Sequence, residues 1–147
     1  MRKQVIISIG CAILILSCSH LAIAGETTQV VESKDQAPVT AAQAWLAMVD
    51  KKQYEQSWEL ASTYFKSLVT KEQWVSQVAA VCNPLGDIIF RDLKINLYQK
   101  ALPGAPDGEY YVLTFNTVFK NKASSVETVT VMKDNDGQWR LVGYFIK

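Results

Sequence analysis

The chain changes its period once. Up to Cys82, apolar residues recur at the spacing of helix faces; beyond Asn83-Pro84-Leu85-Gly86 they alternate with polar ones. Helices need a repeat near 3.6 residues and half-buried strands a repeat of two. Because all the helical signal precedes all the strand signal, alternating βαβ units are excluded. The order predicts an α+β domain with its helices on one face of an antiparallel sheet.

Three helices are expected. Thr40 with Gln43 three residues on has the form of a capping box, and Trp45, Met48 and Val49 follow on one face. A short second helix carries Tyr54, Trp58 and Ala61. Thr70 with Gln73 opens the third, which runs through Trp74, Val78, Val81 and Cys82 until Asn83-Pro84 stops it. Four strands of an antiparallel meander follow. In "DIIFRDLKINLYQK", strict alternation places Ile89, Leu93, Ile95 and Leu97 on one face. Residues 109–120 form the second strand, with Tyr111, Leu113, Phe115 and Phe119 inward, and residues 125–133 the third. "DNDG" predicts a hairpin before the last strand, Trp139 to Ile146. "LPGAPDGEY" reads as a rigid connector between the first two strands, with contact at the rim of a cavity as its alternative. It lacks the Gly-Lys-Ser/Thr ending of a phosphate loop.

The first 24 residues have the layout of a secretory signal: Arg2 and Lys3, an apolar run from Val5 to Leu16, then Ala22-Ile23-Ala24. Cleavage after Ala24 predicts a periplasmic or secreted protein. Lipidation at Cys18 and an uncleaved membrane anchor are the rival readings. Residues 25–38 read as a polar flexible leader and 39–147 as a single domain. Without Arg2 and Lys3, 13 basic residues face 14 acidic ones, a formal charge of −1. That balance offers nothing to nucleic acid, nor to a membrane once the signal is removed.

Removal of the signal also removes chemistry. His20 is the only histidine, and Cys11 and Cys18 go with it, leaving Cys82 as a small core residue. Histidine-dependent nucleophile systems, Cys/His metal sites and an internal disulfide are thereby excluded, and neither metal nor cofactor is expected.

The remaining candidates are a pocket guess built from Trp45, Trp58, Trp74, Arg91, Tyr111, Glu127 and Tyr144. Three tryptophans fall on inward helical positions, where they either pack a core or line an apolar ligand pocket. Arg91 and Glu127 share strand parity with apolar neighbours. A charge there must lie near a strand end, pair, or face a ligand. The other sheet face carries Ile88, Phe90, Tyr110, Val112, Val118, Val142, Tyr144 and Ile146, which suggests a homodimer or a partner docked on it.

The element order resembles the nuclear-transport-factor-2-like cone, a comparison of folds alone. "AWLAMVDKKQYEQSWELAS", "PLGDIIFRDL", "LPGAPDGEYYVLTFNTVFKNK" and "VETVTVMKDNDGQWRLVGYFIK" together resemble the bacterial domain of unknown function 4019. That resemblance implies a small exported protein without an assigned activity and carries over no catalytic residue. The favoured function is non-catalytic binding of a small apolar ligand or an envelope protein. A hydrolase or isomerase using Glu127 with Tyr111 or Tyr144 is the alternative, and a purely structural module the third.

Overall fold

The computed structural model describes residues 35–147. The expected signal segment, the Cys18 lipidation site and residues 25–34 of the leader lie outside them. Among the described residues there are four α-helices and four strands: α1 Gln36–Asp50, α2 Tyr54–Glu59, α3 Thr63–Leu68, α4 Lys71–Cys82, then β1 Ile88–Gln99, β2 Tyr110–Phe119, β3 Lys122–Lys133 and β4 Trp139–Ile146. The strands form an open antiparallel sheet in the order β1-β2-β3-β4. No described helix is long and apolar enough to cross a membrane.

Three helices were expected, and the fourth is α3. Its single turn and a half buries only Phe65, so it has no periodic stripe to read. Ser62 caps it by accepting from the Phe65 amide at 3.0 Å. The first helix also starts earlier than its expected cap. Gln36–Pro38 are helical rather than part of the leader, and Thr40 lies inside the helix, where it meets Gln36 Nε2 at 3.2 Å. A proline in the first turn has no intrahelical hydrogen bond to lose, so Pro38 fits there. The Thr70–Gln73 capping box forms as read.

α1 buries Pro38, Val39, Ala42, Trp45, Leu46 and Val49, one face of the helix. They pack with Leu113, Phe115, Val129, Val131 and Leu141 from the sheet. Between helices and sheet, the short turn at Asn83–Leu85 ends on Gly86, at φ 73° and ψ −166°. Only glycine adopts that conformation readily, and a Cβ there would lie 3.0 Å from Asn121 Nδ2.

Bulges alter the expected strand faces. In β1, Leu93 pairs with Phe115 but Ile95 pairs with Thr114, so Lys94 is an extra residue. One inserted residue reverses every side chain beyond it. Ile95 and Leu97, expected inward with Leu93, therefore point outward and are half exposed. Ile89 is likewise extra, and exposed. In β4 the extra residue is Val142, between the Thr130–Gly143 and Val131–Leu141 pairs. This turns Tyr144 and Ile146 inward, not onto the outer face where alternation placed them. Ile88 is also inward, opposite Phe119. Tyr110 keeps outer parity but is buried beneath the β1–β2 loop, donating to Pro106 O at 2.5 Å. That loop is tied to α3 by Tyr64, whose hydroxyl donates to Gly104 O at 2.8 Å. The β3–β4 hairpin forms at Asp134–Gly137, with Gly137 at φ 80°.

Candidate functional site

Two of the sequence-derived charges meet inside the helix–sheet layer. Arg91 on β1 donates from Nε to Glu127 Oε2 on β3 at 2.7 Å. Its other two nitrogens grip Asp50, at the end of α1, at 2.7 and 2.9 Å. Thr117, on the intervening strand β2, donates to Glu127 Oε2 at 2.5 Å, and Tyr144 on β4 donates to Oε1 at 2.6 Å. Glu127 is 1 % exposed, so these partners replace its lost hydration. Glu127 does not reach water along its stem, and Arg91, whose side chain is partly buried near the start of β1, is committed to Glu127 and Asp50. Asp50 is the member that sequence reasoning missed: it lies 41 residues from Arg91 with nothing local to mark it.

The cluster shifts its members' proton affinities. Burial opposes the Arg91 charge, but the hydrogen bonds to Asp50 and Glu127 outweigh it and hold the proton more tightly than usual. Burial, then the neighbouring Glu127, raises the Tyr144 phenol well above its ordinary value. Burial likewise pushes the Cys82 thiol up to about 11, against a hydrogen bond with Tyr144. Cys82, expected as a small core residue, is half-buried and packs against the core rather than within it, and the raised thiol makes it a poor nucleophile.

Aromatic rings cover this cluster. Tyr144 stands 5.2 Å from Trp45 and 6.4 Å from Trp74, and the two indoles are 5.8 Å apart, centre to centre. Their N–H groups are fixed by one residue: Trp45 Nε1 donates to Ser57 O and Trp74 Nε1 to Ser57 Oγ, each at 2.9 Å. The fold therefore gathers Trp45, Trp74, Arg91, Glu127 and Tyr144. It leaves Trp58 and Tyr111 elsewhere. Trp58 donates to Val69 O at 2.8 Å beneath the ammonium groups of Lys66 and Lys71. Tyr111 hydrogen-bonds Asp35 and packs between Tyr98 and Trp139. Of the two pairs proposed for catalysis, Glu127–Tyr144 is in contact; Glu127–Tyr111 is not.

Two openings adjoin the cluster. A cavity of about 20 Å3 lies beside Asp50, Tyr54, Cys82, Glu127 and Tyr144. An apolar cleft of about 200 Å3 opens between α4 and β4, lined by Trp74, Val78, Val81, Tyr144 and Ile146 among others. A wider opening of about 690 Å3, between α3, the β1–β2 loop and the β3–β4 hairpin, is lined by none of the seven sequence-derived residues.

The sequence profile of the family described as protein of unknown function (DUF4019) matches residues 41–144. The chain belongs to that family. The match begins within α1 and ends at Tyr144, so the DUF4019 region takes in every member of the charge cluster. No curated protein matches the chain.

Proposed function

We propose that this DUF4019 domain is a non-catalytic binding module whose ligand seat is the cleft between α4 and β4. The observation that carries the reading is a contrast between two places. A catalytic acid or base must come within hydrogen-bond reach of its substrate. Glu127 is instead enclosed by Arg91, Thr117 and Tyr144, beside a cavity with room for about one water. The cleft, by comparison, is open, apolar and walled by three aromatic rings, Trp74, Tyr144 and Phe145. These features weigh against the hydrolase or isomerase reading and favour a small apolar ligand. Native mass spectrometry of the folded chain tests this: a small-molecule adduct is expected, and Val81→Trp, a substitution at an exposed position on the cleft wall, abolishes it while leaving the fold intact. An adduct that persists in the variant refutes the seat.

The apolar Val5–Leu16 run and Ala22-Ile23-Ala24 support export, so the binding takes place outside the cytoplasm. The mass and N-terminal residue of the mature chain distinguish cleavage after Ala24 from lipidation at Cys18 and from an uncleaved anchor. Helices across one face of an antiparallel meander also support the comparison with the nuclear-transport-factor-2-like cone.

A second reading concerns assembly. Phe90, Ile95, Leu97 and Phe145 leave the outer sheet face 56, 51, 48 and 60 % exposed at those positions. Between the edge strands lie uncharged Thr114, Thr128 and Thr130, so a second copy meets no like charge at the centre. A homodimer through this face follows from the reading. Analytical ultracentrifugation of the parent and of Ile95→Lys measures it, and a parent that stays monomeric at high concentration refutes it.

A further inference from the structure

The cleft and the small cavity share one wall. Tyr144 lines both, and no other described residue does. Its ring faces Trp74 on the cleft side, and its hydroxyl donates to Glu127 Oε1 on the other. The two oxygens of Glu127 are unequally served. Oε2 accepts from Arg91 and Thr117; Oε1, among the described residues, accepts only from Tyr144. A carboxylate oxygen has two lone-pair positions, so Oε1 keeps one in reserve. Around it, one guanidinium stands among two carboxyl groups, with Lys52 also lining the cavity.

We infer that the cleft's ligand is a small molecule with an apolar body and a hydrogen-bond-donating head, which takes the place of the Tyr144 hydroxyl on Glu127 Oε1. The inference rests on the cleft as ligand seat and adds the chemistry of what fills it. The volume of about 200 Å3 is below the range of roughly 300–1,000 Å3 usual for drug-sized ligands, so the body is one ring or a short chain. An acceptor head, a carboxylate or ketone, would meet the Glu127 carboxyl oxygen lone pair to lone pair. A hydroxyl or ammonium head instead restores the hydrogen bond that Tyr144 gives up when its ring swings aside. The displaced phenol turns toward Cys82, its existing neighbour.

Phenol, benzylamine and toluene are the probes, titrated against the folded chain by tryptophan fluorescence and by ligand-induced rise in Tm. Toluene has the body without the donor, and partition from water favours it over phenol, so a preference for a donor cannot come from hydrophobicity. The better of the two donors is expected to bind roughly tenfold more tightly than toluene. Which donor wins identifies the head as hydroxyl or ammonium. Tyr144→Phe frees Oε1 and widens the ratio; a folded variant whose ratio is unchanged overturns the displacement. In the parent chain, toluene binding as tightly as both donors overturns the inference and leaves the cleft standing as a seat. Failure of all three probes to bind overturns both.

Discussion

Replacement of Glu127 by Gln tests the charge cluster most directly. The carboxylate accepts three hydrogen bonds, from Arg91, Thr117 and Tyr144. A glutamine keeps its carbonyl oxygen for Arg91 and Thr117 but sets an NH2 group against the Tyr144 hydroxyl, which must reverse and accept. The negative charge facing Arg91 is also lost. A hydrogen bond to a charged group contributes about 1.5–3 kcal/mol. Breaking a buried ion pair outright costs about 3–5 kcal/mol, but Arg91 retains both bonds to Asp50. The expected loss is therefore about 2 kcal/mol, or a fall in Tm of roughly 8 °C for a domain of this size. Urea denaturation followed by circular dichroism measures it, with Arg91→Met and the double variant completing a cycle. Arg91→Met alone leaves two carboxyl groups without their cation and should cost more than Glu127→Gln. A loss below about 0.5 kcal/mol, with no coupling between the two sites, refutes the reasoning.

Three further predictions rest on separate features. Thr70→Ala removes the side chain that accepts from the Gln73 amide at 3.2 Å and should lower stability by about 1 kcal/mol in urea titrations. Asp136 is held down to about 2 by its hydrogen bonds with Arg140 and then the Gln138 amide. A carboxyl depressed in the folded state stabilises above its unfolded value of about 3.9 and loses that contribution as pH falls through the folded value. Asp136→Asn should therefore flatten the stability profile between about pH 4 and pH 2, as read by thermal melts. With its thiol pushed up to about 11, Cys82 should react with a disulfide reagent at pH 8 roughly 100-fold more slowly than free cysteine. A thiol that reacts as fast as the free amino acid contradicts its burial.

The architecture was legible because its signals are local. The change of period at Asn83–Gly86 separates helices from strands, and the Thr70–Gln73 box and the Asp134–Gly137 turn each declare themselves within four residues. α3 escaped because six residues with one buried side chain make no stripe, although Ser62 ahead of Thr63 was a readable cap. The bulges at Lys94 and Val142 escaped for a different reason. An inserted residue leaves composition untouched while reversing parity, so only the pairing partner reveals it. Arg91 and Glu127 were visible as charges on an apolar face; that they join each other and Asp50 is a property of the sheet order and of α1 lying across it. The same parity error hid Tyr144, read as both an outer-face residue and a cluster member, of which only the second holds.

In the meander every strand pairs only with its neighbours in sequence, so the sheet assembles from short-range hairpins. α1 is in the opposite position. Its buried stripe, from Pro38 to Val49, rests on β2, β3 and β4, and its Asp50 closes the ring around Arg91. A ribosome delivers the N-terminal end of a chain first. The earliest-made of the described helices is thus the last to find its partners, and its apolar face, Trp45 included, stays uncovered until β4 has left the exit tunnel.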